Sequence, residues 1–410
     1  MSQATELDLT SPAFKANPYP AFACLRADDP VHQFTSSGVH QLNSSQEQRT
    51  WLITRYEDAQ VVLRDERFVK AHNKLLPLEE QTPTPASAAD LLSMGMVDFD
   101  PPDHTRLRSL VNLSFTPRLV EQWHERIQEI TDELIDAVEG QGSMDLIEQF
   151  AFPLPIRVIL EMLGVPAEDS PKLRLWIKLI ASALGNPDAS QQAGEQLQAC
   201  YTYLLALIES KPQAPADDLV SKLIQAEVEG ERISERELVA NVFLLIAAGH
   251  DTTANLIGNG MLALLTHPHQ MALLKCNPAL IKTAVEEFLR YSSPLTLATL
   301  RWAREDVELG GKLIRRGDMV DVSLASANRD DEVFAEPDTL DITRQQHQHL
   351  AFGKGIHYCL GAPLARLEAQ IAIGTLLRRL PHLQLQIDPE ALVWRPGSMI
   401  RGVNHLPVVF

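Results

Sequence analysis

Apolar residues recur at spacings of three and four through much of the chain between residues 115 and 266, with polar residues between them. This is the period of one face of an α-helix, so the pattern predicts a mainly helical protein. We expect successive amphipathic helices over residues 119–138, 154–163, 170–184, 191–208 and 217–227.

The longest helical pattern begins after Ser234, which forms a capping box with Glu237, and it ends near Thr266. About 33 residues make a helix roughly 50 Å long, enough to cross a whole domain. Its centre, residues 247–253, reads Ala-Ala-Gly-His-Asp-Thr-Thr, and Gly, Asp and Thr are poor choices for a helix interior. Either the threonine hydroxyls bond to carbonyls one turn earlier and bend the helix, or these polar residues carry chemistry.

Strand patterns are short and lie near the two ends of the chain. Residues 51–54 predict a strand, residues 56–63 a helix after it, and residues 307–322 a hairpin that turns at Gly310-Gly311. The tail, residues 383–410, alternates as short strands, and residues 398–401 predict a turn that re-enters a pocket. A loop is expected at residues 36–50, and a long loop or a short helix over a pocket at residues 75–98. Asn277 with Pro278 is expected to start a helix.

Composition narrows the class of protein. The formal charge is 36 − 54 = −18, which argues against nucleic acid or an anionic membrane as a partner. Four scattered cysteines suit a reducing cytoplasm, and the polar N-terminal residues show neither a signal peptide nor a membrane anchor. No long Gly/Ser linker interrupts the chain, so we expect residues 1–410 to form a single domain, with residues 1–50 as a polar N-terminal lead-in.

The segment from Phe352 to Gly361 carries the strongest chemical signal. Cys359 lies just ahead of a helix whose first turn contains Pro363, so free amide N–H groups and a positive dipole end would favour its thiolate. Gly353 and Gly355 allow a tight loop on which a flat macrocycle could lie. Taken alone, Cys359 could equally be a small buried apolar residue.

The spacing of Phe, three glycines, His and Cys in this segment resembles the cysteine-ligand loop of the cytochrome P-450 family. The long helix resembles its distal signature Ala-Gly-x-Asp-Thr-Thr at residues 248–253. The resemblance covers nearly all of the chain. It implies the cytochrome P-450 fold, mainly α with small β-sheets, with heme b (iron protoporphyrin IX) between the long helix and the loop and Cys359 as the axial ligand of the iron.

The resemblance also assigns site residues. Ala248 and Gly249 would let the heme and O2 approach the long helix, and Asp251 and Thr252 would pass protons to the oxygen. Cofactor-binding positions it implies are His104, Arg108, Ala248, Gly249, Arg301, Phe352, Gly353, His357 and Cys359. His104 and Arg108 are four apart on one helix face, and a solvated surface pair is the other interpretation.

Glu287 and Arg290 resemble the family's Glu-x-x-Arg pair, which holds the loop that leads to the cysteine, so their expected role is structural. The family's third partner is an arginine in a Pro-x-Arg-Phe segment, and this chain has Pro337-Asp338-Thr339-Leu340 there. Arg329 and Arg344 are the alternatives. His347 and His349 lack further ligands at metal spacing and are expected on the surface.

The predicted activity is that of a monooxygenase inserting one oxygen atom from O2 into a C–H bond of an apolar fatty acyl, terpenoid, steroid or macrolide-like molecule. We expect no reductase domain after residue 410, so electrons are expected from a ferredoxin or flavodoxin with a separate reductase, docked at Lys354 and Arg366. Two alternatives stay open: a peroxide-driven peroxygenase and a non-catalytic heme-thiolate sensor. The pocket candidates are Leu92, Met94, Met96, Leu295, Ala298, Met399 and Ile400, and, on helices that could form a lid, Trp176, Ile177, Ile180 and Leu184.

Overall fold

A computed structural model of the protein describes residues 8–35, 49–75, 91–92, 94–183, 190–213, 216–228, 230–346 and 348–410. Helices dominate these ranges, as the spacing of apolar residues predicts. They are α1 Pro12–Ala16, α2 Tyr19–Asp28, α3 Tyr56–Arg64, α4 Asp103–Ser114, α5 Pro117–Gln122, α6 His124–Glu139, α7 Pro153–Met162, α8 Ser170–Ala183, α9 Ser190–Ser210, α10 Leu219–Gln225, α11 Glu235–Thr266, α12 Pro268–Cys276, α13 Ile281–Tyr291, α14 Leu324–Ala327 and α15 Ala362–Arg379.

Two helix boundaries differ from the prediction, each for a local reason. The helix expected over residues 119–138 is divided into α5 and α6, since the Trp123 N–H bonds to Val120 O, three residues back, at 3.1 Å. Asn277 makes no capping bond with its side chain and precedes a 3₁₀ turn, Pro278–Leu280, so α13 begins only at Ile281. The other predicted helices lie within a few residues of their expected ends.

The central helix α11 has the predicted capping box and runs for 32 residues. The Ser234 side chain accepts a hydrogen bond from the Glu237 N–H, and the Glu237 carboxylate accepts one from the Ser234 N–H at 2.9 Å. A Cβ atom at Gly260 would lie 2.9 Å from the ring of Phe288 in α13 and 3.1 Å from Ile373 in α15. Glycine at this position therefore lets three helices pack closely together.

The strands form small sheets at the edge of the helical body. Their bounds are β1 Val31–Thr35, β2 Arg49–Ile53, β3 Phe68–Val69, β4 Ser143–Asp145, β5 Glu227–Val228, β6 Glu231–Arg232, β7 Arg301–Ala303, β8 Val307–Leu309, β9 Lys312–Ile314, β10 Met319–Val322, β11 Gln384–Leu385 and β12 Pro407–Val409. The largest sheet has the order β1-β2-β10-β7-β3, and β11-β12-β4 form another. Within the hairpin predicted over residues 307–322, β8 and β9 pair around Gly310-Gly311 as expected, whereas β10 pairs in parallel with β2.

The main apolar core surrounds α11 and includes buried residues from Leu92 to Val408. A second cluster lies between the largest sheet and α3, so it anchors the strand β7 and the segment before it. Within the described ranges, every helix is too short or too polar to cross a bilayer.

Candidate active site

A cavity lies between the middle of α11 and the loop of residues 352–361. Residues distant in sequence meet there because α4, α11, the segment before β7 and the loop all converge on it. Of the residues predicted from the sequence, the structure places the following on the cavity wall: Met96, His104, Arg108, Ala248, Gly249, Thr252, Leu295, Ala298, Arg301, Phe352, Gly353, His357 and Cys359.

The loop that carries Cys359 is held by its own backbone. Cys359 N–H donates to Phe352 O at 2.9 Å, and Gly353 N–H donates to Leu350 O at 2.8 Å. Gly355 has φ +75°, and a Cβ atom there would lie 2.5 Å from the carbonyl oxygen of Leu63. Only glycine therefore allows the loop to pack this closely against α3.

The Cys359 sulfur faces the cavity just before α15 begins. Burial raises the pKa of the Cys359 thiol, while hydrogen bonds from the backbone N–H groups of Gly361 and Ala362 and the charges of Arg108 and Arg366 oppose that rise. These donors favour a thiolate, as the sequence predicts. A metal cation at the sulfur would complete this stabilisation, because metal ligation deprotonates a thiol outright.

Two arginines and two histidines form a cationic cradle at one end of the cavity, which we define as His104, Arg108, Arg301 and His357. The two imidazole rings lie 4.3 Å apart between centroids, and neither ring nitrogen of buried His104 has a hydrogen-bond partner. Burial, together with nearby cations of which Lys70 is the foremost, lowers the pKa of His357 to about 2. Burial likewise lowers the pKa of Arg301 to about 10. The cradle is therefore a site for an anion.

On the opposite wall, Thr252 and Thr253 both line the cavity. The Thr252 hydroxyl donates to Ala248 O at 2.8 Å and the Thr253 hydroxyl to Gly249 O at 3.2 Å. These are the bonds expected if the threonine hydroxyls bind carbonyls one turn earlier in the helix. The Thr252 oxygen keeps lone pairs that can accept a further hydrogen bond.

Asp251 does not lie on the cavity wall. Its carboxylate is nearly buried and forms an ion pair with Arg395, from the segment before the last strand, while Asn255 Nδ2 donates to Asp251 Oδ1 at 3.3 Å. The Arg395 side chain is 28% exposed, so this pair connects the middle of α11 to the surface. No local motif marked Arg395, since it lies 144 residues from Asp251.

Several predicted pocket residues lie behind the wall rather than on it. Leu92 is buried in the main core, and Met94 is half-buried outside the lining. The turn at residues 398–401 does approach, but through its backbone, since Thr296 N–H donates to Met399 O at 2.7 Å and Ile400 bridges to Leu295. Leu295 therefore lines the cavity while Met399 and Ile400 stand behind it.

The lid candidates also pack elsewhere. Trp176 and Ile177 belong to the main core, and the Trp176 ring meets Tyr203 of α9 edge-on at 6.0 Å. Ile180 lies in α8, but its side chain is outside the described residues, as is the whole of Leu184. The structure therefore places Trp176 and Ile177 in the apolar core and not in the cavity wall.

Glu287 and Arg290 form a fully buried, two-bonded ion pair on α13, with both nitrogen–oxygen distances 2.8 Å. The third partner is Arg344, whose Nε lies 3.2 Å from Glu287 Oε2. Arg329 instead bonds to Tyr291 O and Asp338. Arg290 also donates to the carbonyl oxygens of residues 328, 337 and 339, so the network fixes the segment that leads to the cysteine loop.

Two expectations about charged surface residues change. Arg366 is bound by Glu286 through two hydrogen bonds of 2.6 and 2.9 Å, so its charge is already compensated. The His349 side chain is only 3% exposed and contacts the same carboxylate at 3.1 Å, so its placement on the surface was wrong. His347 lies outside the described residues. Lys354 is half-buried and lines the cavity.

This donor set fits an iron porphyrin. The cradle presents cations and unpartnered histidine nitrogens to carboxylates, Cys359 presents a sulfur that needs a metal cation, and the apolar wall between them suits a flat macrocycle. A helical protein that offers a cysteine to a metal in this way belongs to the heme-thiolate class.

Comparison with known proteins identifies the family. The sequence model of the family Cytochrome P-450 matches residues 188–275 and 279–394. The chain is 46% identical over 88% of its length to cytochrome P-450 CYP107DY1 of Priestia megaterium, of which it covers 89%. It is 41% identical over 96% of both chains to the polyketide biosynthesis cytochrome P-450 PksS of Bacillus subtilis.

Solved structures agree. That of PksS superposes with a TM-score of 0.91 at 39% identity, covering 98% of this chain and 99% of the other. A myxobacterial cytochrome P-450 in complex with myristic acid gives a TM-score of 0.90 at 41% identity, covering 98% of both. The chain belongs to the cytochrome P-450 family. It is a heme-thiolate monooxygenase that binds heme b through a cysteine thiolate, acts on apolar substrates and receives electrons from redox partner proteins, and the predicted fold class is confirmed.

Proposed function

We propose that Cys359 is the axial ligand, that the cationic cradle holds the heme carboxylates, and that Thr252 on the facing helix manages proton delivery. The observation that carries this proposal is that all of these side chains line one cavity. Heme b bound to a thiolate activates O2, because electron density from the sulfur favours O–O cleavage. The overall reaction converts a C–H bond to C–OH, with the second oxygen atom leaving as water after two electrons and two protons are supplied.

Protons must cross α11 to reach the cavity. Asp251 connects to the surface through Arg395 and is one residue from Thr252, which lines the cavity. We place Asp251 upstream of Thr252 in proton delivery, with release from Arg395 as the step that lets the carboxylate take up a proton. Ala248 and Gly249 keep the wall beside Thr252 free of large side chains.

The Thr252→Ala variant should fold, bind heme and keep the spectrum of the reduced carbon monoxide complex, because Cys359 and the cradle are untouched. NAD(P)H consumption should continue while more of the electrons end as hydrogen peroxide and fewer as hydroxylated product. Asp251→Asn should instead slow overall turnover, since the proton source is lost. General acid–base groups contribute roughly 10²- to 10⁴-fold, so both effects are within reach of product and peroxide assays.

The control is Thr253→Ala, which removes the neighbouring hydroxyl that bonds to Gly249 O. It should couple NAD(P)H to product much as the parent does. A Thr252→Ala enzyme as well coupled as the parent would reduce this threonine to a helix-shaping residue.

We propose that the substrate is a long acyl chain or a macrolide-like polyketide. The end of the molecule that enters the cavity carries no charge. The wall away from the cradle is made by apolar side chains with threonine hydroxyls, and the charged groups on the lining, among the described residues, are those of the cradle and Lys354. A carboxylate would therefore lack a cation beside the reacting carbon. Of two relatives, PksS is a polyketide biosynthesis cytochrome P-450 and the myxobacterial protein was solved in complex with myristic acid.

A titration of the ferric protein with fatty acyl, macrolide, terpenoid and steroid compounds tests this proposal through the low- to high-spin change in absorbance. Acyl and macrolide compounds should give the change and be oxidised with NAD(P)H and redox partners. Turnover that is faster with hydrogen peroxide alone would favour a peroxygenase. If none of the compounds that bind causes NAD(P)H to be consumed, the result would favour a non-catalytic sensor.

We propose that the electron donor is a ferredoxin or flavodoxin, served by a separate reductase, and that it docks on the cysteine side of the protein. An open groove there is lined by Pro363 and Leu367 of α15 and by exposed Lys282 and Arg378. Ile356, three residues before Cys359 in the same loop, is 52% exposed. Against a total charge of −18, such local cations would steer an acidic donor.

Charge reversal in this groove should slow electron transfer and leave substrate binding unchanged. Lys282→Glu with Arg378→Glu should lower the rate of heme reduction by a ferredoxin several-fold at low ionic strength, and the loss should shrink as salt is added. Lys312→Glu, on β9, is the matched control. Equal reduction rates in all three proteins would contradict the groove as the docking surface.

We also propose that residues 1–410 form one domain and that the protein works in the cytoplasm. One apolar core draws on residues from Leu92 to Val408, and the described cysteines are unpaired, which suits a reducing compartment.

A further inference from the structure

Lys70, directly after β3, has a buried ammonium group that is fully used inside the protein. Its Nζ donates to Thr299 O at 2.7 Å, to Thr299 Oγ1 at 2.6 Å and to Leu300 O at 2.6 Å. An ammonium has three donors, so all are engaged. Lys70 therefore cannot bind a ligand in the cavity itself, and its three bonds fix the backbone immediately before Arg301.

The backbone of the same residue holds the other half of the cationic cradle. Lys70 N–H and Ala71 N–H donate to the Asp100 carboxylate at 2.9 Å. The carbonyl of Asp100 accepts the N–H of His104 at 3.0 Å, in the first turn of α4. Residues 70–71 thus join the start of α4, which carries His104 and Arg108, to the segment that carries Arg301.

Charge shows that this arrangement is built for an anion. Thr299 O accepts hydrogen bonds from Lys70 and from Arg301 Nη1, the latter at 2.8 Å, so two cations share one carbonyl oxygen. Burial and the charge of Arg301 hold the pKa of Lys70 well below its ordinary value, while the carboxylates of Asp98, Asp100 and Asp321 oppose that fall. Two neighbouring cations in a buried place repel each other, and an anion at the cradle relieves that repulsion.

We propose that Lys70 is a positioning residue for the heme carboxylates. It sets the spacing between Arg301 and the His104 end of α4, and its charge adds to the positive potential of the cradle. Lys70 is not among the residues that line the cavity, and no motif in the sequence marked it. The inference rests on the proposed role of the cradle in holding heme.

The decisive measurement is heme retention in the absence of substrate and redox partners. Lys70→Met should lose heme to excess apomyoglobin roughly tenfold faster than the parent or more, because it removes the three charged hydrogen bonds that fix the backbone before Arg301. Its midpoint potential should also become more negative, since a nearby positive charge favours the form with one more electron. Lys312→Met, which removes an exposed charge that pairs with Asp29, should change neither value.

A second variant keeps the proposal testable if Lys70→Met folds poorly. Lys70→Gln keeps a donor for Thr299 but removes the charge, and it should show the more negative potential with a smaller increase in heme loss. Heme loss and potential equal to those of the parent in both Lys70 variants would overturn the inference. The Arg301→Leu variant distinguishes failure of the Lys70 proposal from failure of the cradle proposal. If Arg301→Leu loses heme fast while Lys70→Met loses it at the parental rate, the role of Lys70 is rejected and the cradle is kept. If both variants lose heme as slowly as the parent, the cradle itself is rejected.

Discussion

The Cys359→Ser variant should lose the thiolate-type spectrum of the reduced, carbon monoxide-bound protein together with monooxygenase turnover. Serine is close in size, so the loop, held by Cys359 N–H to Phe352 O and by the packing of Gly355 on Leu63, should keep its shape. What is lost is the sulfur, whose electron donation the reaction needs. This is the largest effect on activity that we expect from a single substitution.

Cys276→Ser is the matched control, because it makes the same chemical change at an exposed cysteine on α12. It should leave the spectrum and turnover unchanged. A parent protein with the Soret band of a histidine-ligated heme, or a Cys359→Ser protein with the parent spectrum, would refute the ligand assignment.

Glu287→Gln should be the most destabilising conservative change on α13, by about 3–5 kcal/mol. Its carboxylate accepts from Arg290 at 2.8 Å on both oxygens and lies 3.2 Å from Arg344, and the Glu287 and Arg290 side chains are 1% exposed. Glutamine would leave two arginines without their shared anion in a nearly dry site. Because Arg290 also fixes the segment before the cysteine loop, heme content should fall as well.

Urea unfolding followed by circular dichroism, with heme content from absorbance, measures this effect. Glu308→Gln, on the exposed face of β8, is the control and should stay within about 0.5 kcal/mol of the parent. A Glu287→Gln protein with parental stability and heme content would show that the buried pair does not hold the loop.

The parts of the site that could be predicted are those whose residues are close in sequence. The capping box of α11, the spacing of Thr252 within it and the loop of residues 352–361 each depend on local backbone geometry, so a pattern of neighbours is sufficient to reveal them. Their resemblance to a known family then supplied roles that spacing alone left open. Comparison with relatives confirms the family and its heme.

The parts that could not be predicted depend on contacts across the chain. Arg395 meets Asp251 from 144 residues away, and Arg344 meets Glu287 from 57 residues away. Lys70 reaches Thr299 across 229 residues. Met399 and Ile400 are as apolar as Leu295, and only the backbone bonds between the two segments decide which side chain reaches the cavity.

The sequence by itself therefore determined the helical class, the long central helix and the two motifs that face each other across the cavity, because periodicity, capping and turn chemistry act over a few residues. Tertiary structure alone decided that Lys70 lies beside the cradle, which arginine completes the network of Glu287, and that Asp251 points away from the cavity toward Arg395. The physical reason is that an ion pair or a hydrogen bond depends on distances of a few ångströms, and only the packing of α4, α11, α13 and the strand β7 sets those distances.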